Sequence, residues 1–338
     1  MRRILCAAAV STVALAVGCS SSPSGSTGSG DAQVTLRLGF LANITHAPAL
    51  VGVAKGIFAK DLGKNVSLKP QVFNSGTEET TALLSNELDA AYVGPNPAIN
   101  AWQKSGGKAI KIISGVATGG ASVVVKSDIT SAAQLKGKTL ASPSLGNTQD
   151  VAVRYWLKQQ GLTTTTTGGG EVSIKPVAPN SDSVTEFESG QIAGGSEPSP
   201  YDVEMVQHGG TVLLHETGVT TLLVVSQAFL AKYPSLVASL LKGQIQANDY
   251  IAKNPTAAQA SANGELTTLL GKGIKPSVLP SAFKEITFTD DPDATSLAAD
   301  AREAVSLGLL HPVSLAGIYD LGPLNAQLKA AGEPQVSS

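Results

Sequence analysis

The chain of 338 residues is poor in aromatic side chains, in charges and in cysteine. Aromatic residues make up 4%, which leaves few flat surfaces on which bases or sugar rings could stack. Charged residues make up 15%, and the net charge of −2 comes without a basic stripe, which excludes a nucleic-acid partner. Cys6 and Cys19 are the only cysteines, so the chain beyond them has no disulfide and no thiol chemistry.

The N-terminus has the pattern of a lipoprotein signal peptide. Two arginines precede an apolar run at 4–17, which is too short to span a bilayer, and no other run reaches about 18 apolar residues. The run ends in the lipobox LAVGC, whose Cys19 would carry the lipid. We therefore predict a signal peptide at 1–18, a flexible lipid-anchored tether at 19–33, and attachment to the extracytoplasmic face of the cell membrane. The alternative is an ordinary secretory signal with an incidental cysteine.

Motifs for catalysis and for cofactor binding are missing. Gly137, Lys138 and Thr139 resemble the end of a P-loop, but Ala132 stands where that pattern needs a glycine. No G-x-S-x-G elbow occurs, and the four histidines lack the spacing of metal ligands. We therefore predict no catalytic residue, no cofactor and no metal.

An internal repeat with a spacing of about 103–106 residues sets the architecture. The segment VSLKP at 66–70 recurs as VSIKP at 172–176, and PNP at 95–97 recurs as PSP at 198–200. Each copy alternates strands with helices, which predicts βαβ units and a mostly parallel sheet flanked by helices. In the first copy we predict strands at 34–40, 66–73 and 90–93 and helices at 46–59, 76–87 and 97–105. The second copy runs from about 138 to 214.

The chain continues after the second copy. We predict a strand at 221–226, followed by helices at 226–233, 234–253, 256–270, 280–283 and 293–307. A chain that leaves the first sheet, builds the second and returns makes two crossovers, as in a hinged clamshell. We place the first crossover within 115–126 and the return at the strand 221–226. The predicted fold class is therefore α/β with two lobes, in which 34–120 and 221–338 form lobe I and 121–220 forms lobe II.

Polar residues at the predicted helix starts mark a candidate binding site. Ligands of open parallel sheets bind beyond the carboxyl ends of the strands, where helix N-termini offer free N–H groups and a partial positive charge. Ser75 with Glu78 forms a capping box, and Asn96, Asn147 and Ser199 are placed as N-caps. Any one of these residues could simply cap its helix. The candidate ligand-binding residues are Asn43, Thr45, His46, Ser75, Gly76, Thr77, Asn96, Gly146, Asn147, Thr148 and Glu197.

The expected ligand is a small organic anion. Several converging helix starts can hold an anion without a cation, and the chain has only five arginines. Glu197 would be unfavourable beside an anion, so it either binds a ligand amine, as taurine would supply, or caps the helix after Ser199. Arg154 is predicted at the surface or the edge of the core.

Several segments together resemble the aliphatic sulfonate/nitrate/taurine family of ABC-importer solute-binding lipoproteins, and the sulfonate-type members most of all. These segments are LGF at 38–40, NITHAPAL at 43–50, KGIF at 55–58, ELDA at 87–90, GPNP at 94–97, LKGK at 135–138, GNTQD at 146–150, YP at 233–234 and YDL at 319–321. The resemblance implies a type II periplasmic-binding fold, delivery of the solute to a permease driven by its ATPase, and no catalysis by this subunit. We expect a monomer. Many relatives have a tryptophan after the Glu-Pro pair, whereas this chain continues from Glu197 with PSPY.

Other functions stay open on the sequence alone. The same role could serve nitrate, taurine or a solute similar to a thiamine precursor, because the missing tryptophan leaves the size of the binding site open. A ligand sensor that signals to a receptor would have the same sequence features. A clamshell-fold enzyme is a further alternative, but the lipobox and the lack of a nucleophile with its base argue against it.

Overall fold

The computed structural model describes residues 33–338, so the predicted signal peptide, Cys19 and nearly all of the tether lie outside the described part. The chain first forms β1 (Val34–Leu41), α1 (Ala47–Ala54), α2 (Ile57–Leu62), β2 (Val66–Phe73), α3 (Gly76–Leu84), β3 (Ala90–Val93), α4 (Pro95–Lys104) and β4 (Ile110–Gly119). It then forms β5 (Ala121–Lys126), β6 (Thr139–Ser142), α5 (Thr148–Gln159), β7 (Ser173–Pro176), α6 (Asn180–Glu188), β8 (Gly194–Pro198), α7 (Tyr201–Gln207) and β9 (Gly210–His215). Last come β10 (Val219–Ser226), α8 (Gln227–Lys232), α9 (Pro234–Lys253), α10 (Pro255–Leu270), α11 (Leu279–Lys284), β11 (Ile286–Phe288), α12 (Ala294–Ser306) and α13 (Gly322–Ala331). Two 3₁₀ turns lie at Ile44–His46 and Ala132–Leu135.

The strands form two mixed sheets of the same design. The first has the order β11-β4-β10-β3-β1-β2 and the second the order β7-β6-β8-β5-β9. β1 pairs parallel with β2 and β3, and β6 pairs parallel with β7 and β8. One antiparallel strand is inserted in each sheet, β10 between β3 and β4 and β5 between β8 and β9. Apart from β11, which has no counterpart, the six-stranded sheet therefore corresponds strand by strand to the five-stranded one, as the internal repeat predicts.

The two crossovers between the sheets lie side by side. β4 ends at Gly119 and β5 begins at Ala121, while the return from β9 to β10 passes through Glu216–Gly218. The Gly119 N–H donates to the Gly218 carbonyl over 2.9 Å, and the Glu216 N–H donates to the Ala121 carbonyl over 2.9 Å. Gly120 has a φ of 72°, and a Cβ there would lie 2.3 Å from Ile286. Backbone hydrogen bonds therefore tie the two crossovers to each other.

The first sheet is buried on both faces. All eight residues of β10 are buried, and Leu223 and Val225 pack into one hydrophobic cluster while Leu222 and Val224 pack into another. Such a continuous apolar run is typical of a central strand between helical layers. The second sheet has two smaller clusters, one on each face. Among residues 33–338, no helix is long and apolar enough to cross a membrane.

The local differences from the predicted elements have physical causes. The predicted helix 46–59 is divided into α1 and α2 because Gly56 has a left-handed conformation with a φ of 65°. α9 begins at Pro234, as predicted, because proline is favoured in the first helical turn. β11 and α13 were not predicted, since β11 has only three residues and α13 follows a long irregular segment.

Candidate ligand-binding site

A small cavity lies where five helix starts from the two halves of the chain converge. Its volume is about 20 Å³, close to the space that one water molecule needs. Gly76, Thr148 and Asn180 on its wall are the first residues of α3, α5 and α6, and His46 and Gly94 are the N-cap residues of α1 and α4. The full lining is Leu41, Asn43, Thr45, His46, Gly76, Gly94, Pro97, Pro143, Asn147, Thr148, Gln149, Asn180, Pro198 and Thr220. The structure therefore brings together six of the candidate residues: Asn43, Thr45, His46, Gly76, Asn147 and Thr148.

A chain of hydroxyl groups orients Asn43. The Thr221 hydroxyl donates to Thr45 Oγ1 over 3.0 Å, and Thr45 Oγ1 donates in turn to Asn43 Oδ1 over 2.8 Å. All three residues are buried. Because Asn43 Oδ1 is occupied as an acceptor, its amide nitrogen is the group left to donate to a ligand.

His46 is a neutral hydrogen-bond donor. The Leu41 N–H donates to His46 Nδ1 over 3.1 Å, so the ring proton is on Nε2. Burial lowers the pKa of His46 to about 3, because the charged ring would lose its hydration. The ring therefore supplies an N–H without a positive charge throughout the physiological pH range.

Thr148 brings an unpaired hydroxyl to the cavity. Its side chain is 6% exposed, and within residues 33–338 Oγ1 has no hydrogen-bond partner. A Cβ added to Gly94 would lie 2.3 Å from this oxygen, so Thr148 of the second half packs directly on the backbone of Gly94 in the first half. Asn147 caps α5, as predicted, by accepting from the Asp150 N–H over 2.9 Å.

Asp150 holds the loop that forms this part of the wall. Its carboxylate accepts from Ser142 Oγ, from the Gly146 N–H and from Arg154 Nε, each over 2.9 Å. Arg154 is 2% exposed, so its predicted place at the surface or core edge was wrong. Its Nε donates to Asp150 and its Nη1 donates to the Thr165 carbonyl, and the side chain does not line the cavity. Gly146 itself has a φ of 74° and does not line the cavity.

Asn180 links the cavity to Glu197, which lies behind it. Asn180 Nδ2 donates to Glu197 Oε2 over 2.7 Å, and both side chains are buried. Burial raises the pKa of Glu197 to about 8, although hydrogen bonds from Asn180 and Ser183 oppose the rise. Glu197 is thus mainly protonated at neutral pH, and it does not line the cavity.

Ser75 and Thr77 lie at the start of α3 beside the cavity. Ser75 Oγ accepts from the Glu78 N–H over 3.3 Å, whereas the Glu78 carboxylate accepts from Asn74 and not from Ser75. The predicted capping box is therefore only half formed. The Thr77 hydroxyl lies 3.1 Å from Ser144 Oγ, which joins the two halves at the rim of the cleft.

The predicted caps at Asn96 and Ser199 were wrong. α4 begins at Pro95 with Gly94 as N-cap, because either of the two nearby prolines can occupy the first turn. Asn96 Nδ2 instead donates to the Asp300 carbonyl over 3.3 Å, and the side chain is not on the cavity wall. α7 begins at Tyr201, and the Ser199 hydroxyl donates to Asp202 Oδ1 over 2.7 Å.

The site is electrically neutral. No lining residue carries a charge at neutral pH, and among residues 33–338 no group of three His, Cys, Asp or Glu side chains could hold a metal ion. Sequence reasoning missed Asn180, Thr220, Gly94 and Gln149 on the wall. Asn180 could have been found, because the repeat pairs it with Asn74 next to the candidate Ser75.

This fold is that of the two-lobed periplasmic binding proteins, which confirms the predicted fold class. The chain matches the model of the NMT1-like family over residues 29–264 and belongs to that family. It is 26% identical over 215 residues to the taurine-binding periplasmic protein of Escherichia coli (strain K12), a match that covers 62% of this chain and 64% of that protein's length.

Two solved structures show the same fold. The alkanesulfonate-binding protein SsuA from Xanthomonas axonopodis pv. citri bound to MOPS has a TM-score of 0.72 at 16% identity, with 86% of this chain and 99% of that chain covered. The periplasmic nitrate-binding protein NrtA from Synechocystis PCC 6803 has a TM-score of 0.72 at 16% identity, with 89% of this chain and 90% of that chain covered. The resemblance to the sulfonate, nitrate and taurine binding proteins is confirmed.

Proposed function

We propose that this chain is the extracytoplasmic solute-binding subunit of an ABC importer and that it captures a small organic anion, an aliphatic sulfonate, between two lobes. The observation that carries the proposal is the neutral cavity at five helix starts. Each helix N-terminus contributes about 0.3–1 kcal/mol to the binding of an anion, and up to ~2 kcal/mol when partly buried. The neutral donors of His46, Asn43 and Thr148 complement oxygen atoms of one charged group.

Capture requires motion of the lobes, which we take as 34–120 with 221–338 and as 121–220. A cavity of about 20 Å³ has no room for a sulfonate with its carbon chain, so the ligand enters a more open form. In the present closed form, the Ile44 N–H donates to the Ser199 carbonyl and the Tyr201 hydroxyl donates to the Ala42 carbonyl, each over 2.8 Å. These bonds join the two lobes across the cleft, and the paired crossover would act as the hinge.

The proposed partners follow from the family and the N-terminal sequence. The chain would be a monomer, held on the membrane by lipid at Cys19, and would hand its solute to a permease and the ATPase of that permease. It would bind without catalysis.

Replacing Cys19 with alanine should release the protein from the membrane or leave it unprocessed. A variant that is processed and partitions into detergent like the wild type would contradict the lipid anchor.

The binding role is tested by calorimetry on a matched pair of threonine variants. Thr148→Val removes a hydroxyl that has no partner within residues 33–338, so the fold should tolerate the change. Thr166→Val removes an exposed hydroxyl from a loop of the second half and is the control. A hydrogen bond to a charged group is worth about 1.5–3 kcal/mol, so Thr148→Val should weaken ethanesulfonate binding by about 10- to 150-fold. Wild-type protein that binds only cations or neutral sugars would refute the proposal.

The small volume of the cavity favours nitrate as a second candidate solute. A planar anion of four atoms needs less opening of the lobes than a sulfonate does. Taurine and thiamine-precursor-like solutes are the other candidates. Glu197 lies behind Asn180, so the amine of a taurine molecule in the cavity would not contact it directly. Competition between nitrate and ethanesulfonate, measured by thermal shift, separates these solutes, because a ligand at 100 times its Kd stabilises by about 2.7 kcal/mol.

A further inference from the structure

A second cavity lies between α5 and α12, against the crossover from β9 to β10. On α5, Thr148, Tyr155 and Trp156 line it, at a spacing of seven and eight residues that puts them on one face of the helix. The volume is about 400 Å³, within the range of about 300–1,000 Å³ that is usual for ligand pockets. The linings of this cavity and of the small cavity in the cleft share one residue, Thr148. The second cavity is therefore a separate space with its own chemistry.

Three carboxyl groups line this second cavity. Glu216 comes from the crossover, and Asp300 and Glu303 come from α12. Among the described residues on the wall there is no lysine or arginine, and Arg302, whose charge lowers the pKa of Glu303, is not on the wall. Burial raises the pKa of Glu216 to about 7 and that of Asp300 well above its ordinary value, and the charge of Glu303 adds to both rises. A cation in the cavity would therefore let these groups ionise.

Two oxygen atoms of the lining residues lack a partner. Asp300 Oδ2 and Thr148 Oγ1 are both buried, and neither makes a hydrogen bond within residues 33–338. Buried polar atoms are nearly always hydrogen-bonded, so an unpartnered pair beside a cavity points to a ligand that carries donors. An ammonium group brings three N–H donors together with a positive charge. A hydroxyl has one proton and two lone pairs, so Thr148 can accept from an ammonium group here and still donate into the small cavity.

Aromatic rings complete the wall of the second cavity. Tyr155 and Trp156 are both half-buried, and each presents a ring to the cavity at the face of α5. The face of such a ring attracts a cation, and its carbon atoms pack against an aliphatic chain. Carboxyl groups beside aromatic rings suit an organic ammonium ion. No group of three His, Cys, Asp or Glu side chains among residues 33–338 could hold a metal ion.

We propose that the cavity between α5 and α12 binds a primary organic amine in its ammonium form. The ammonium group donates to Asp300, Glu303 and Thr148, and the carbon chain packs against Tyr155 and Trp156. The amine is a second ligand and not the solute of the cleft, so the inference goes beyond the proposed function.

The test is calorimetry with pentylamine and its uncharged analogue 1-pentanol, with no sulfonate present. The proteins are the wild type, Asp300→Asn, Glu303→Gln and the control Asp128→Asn, whose side chain is exposed and does not line the cavity. Asparagine and glutamine keep the size of the side chains they replace, and melting temperatures check that each variant is folded. The wild type and Asp128→Asn should bind pentylamine at least about 10-fold more tightly than 1-pentanol. Asp300→Asn and Glu303→Gln should each weaken pentylamine binding by about 10-fold or more.

Proton release is a second readout of the same experiment. Because Asp300 holds a proton in the empty cavity, binding of the ammonium ion should release it. The heat of binding should therefore differ between two buffers of unequal ionisation enthalpy for the wild type, and much less so for Asp300→Asn.

Three results would refute the amine site. These are a wild type that binds pentylamine no better than 1-pentanol, cavity variants that bind pentylamine as tightly as Asp128→Asn does, and pentylamine binding without proton release. Each of them would leave the proposed function untouched, because the experiment contains no sulfonate.

Discussion

Asn180 Nδ2 donates to Glu197 Oε2 over 2.7 Å, and this pair connects the wall of the cavity to a buried carboxyl group. Burial is the main cause that raises the pKa of Glu197 to about 8, and the charges of Asp202 and Glu216 add to it. The group is therefore mainly neutral at pH 7 and becomes an anion only above pH 8. Since that anion lies behind the binding site, its charge opposes the binding of a negative ligand.

The affinity for a sulfonate should accordingly fall above about pH 8, by up to about tenfold per pH unit. Glu197→Gln keeps the acceptor for Asn180 without the charge, so its affinity should match the wild type at pH 6.5 and exceed it at pH 9.5. Glu188→Gln, which changes a carboxylate that is 44% exposed, is the control and should follow the wild type. A Glu197→Gln protein that binds more tightly than the wild type already at pH 6.5 would contradict a neutral Glu197, and affinities that stay equal up to pH 9.5 would contradict its ionisation near pH 8.

His46 gives a second prediction, about the donor it contributes. Replacing it with phenylalanine removes the Nε2 donor, so ethanesulfonate binding should weaken by about 10- to 150-fold. The control is His311→Phe, because His311 is exposed and lies away from the cavity. Melting temperatures must be measured as well, since the Leu41 N–H loses its acceptor. Unchanged affinity in a well-folded His46→Phe protein would remove His46 from the site.

The low pKa of His46 also predicts how stability depends on pH. Its pKa is about 3 in the folded protein against 6.5 for the free side chain, so the unfolded chain binds the proton more readily. The contribution of His46 is therefore complete above pH 6.5 and is lost as the pH falls from 6.5 toward 3. Denaturant unfolding should show that the free energy of unfolding falls less steeply for His46→Phe than for the wild type between pH 6.5 and pH 3. Parallel plots of this free energy against pH for the two proteins would contradict the prediction.

Gly94 gives a third prediction, about closure of the lobes. A Cβ at this position would lie 2.3 Å from Thr148 Oγ1 in the closed form. Gly94→Ala should therefore weaken ligand binding through overlap in the closed state, by about 1–3 kcal/mol. Gly264→Ala, at a helical position with nothing within 4 Å of the new carbon, is the control.

A double variant shows whether the overlap is the cause. Gly94→Ala combined with Thr148→Ala removes the oxygen atom that the new methyl group would meet, so closure should recover. Small-angle scattering with saturating ligand should then give a compact form for the wild type and the double variant and a wider one for Gly94→Ala. If all three proteins close equally, the lobes do not meet at this contact.

Glu79 gives a fourth prediction, about stability alone. Its side chain is fully buried in α3, neither carboxyl oxygen has a partner within residues 33–338, and burial raises its pKa well above the usual value. Because the folded form holds this proton more tightly than the unfolded chain, stability falls as the pH rises above the ordinary pKa of glutamate. Glu79→Gln should match the wild type near pH 4 and be more stable at pH 8. Thermal unfolding at pH 4 and pH 8 measures the difference in stability between Glu79→Gln and the wild type. The same difference at both pH values would contradict the prediction.

The architecture could be predicted from the sequence because its signals are local or periodic. The apolar run that ends at Ser226 predicts the central strand β10, and Pro234 fixes the start of α9. The repeat then gives the second sheet from the first. These features need no knowledge of which residues meet in space.

The candidate site was predictable only in part, because half of its wall depends on contacts between distant segments. Asn147 is a local N-cap and is visible in the sequence. By contrast, the contact of Gly94 with Thr148 spans the two halves of the chain, and Asn180 gains its role from Glu197, 17 residues away. The start of α4 was misplaced for a local reason, since Pro95 and Pro97 are equally suited to a first helical turn.

The most direct test of the central claim is a crystal structure of the protein with an alkanesulfonate bound. The account predicts that the sulfonate oxygens lie within hydrogen-bond distance of Thr148 Oγ1, of His46 Nε2 and of N–H groups at the starts of α3 and α5, with no lysine or arginine in contact. A sulfonate held outside the cleft, or held by a cationic side chain, would contradict an anion site made of neutral helix starts.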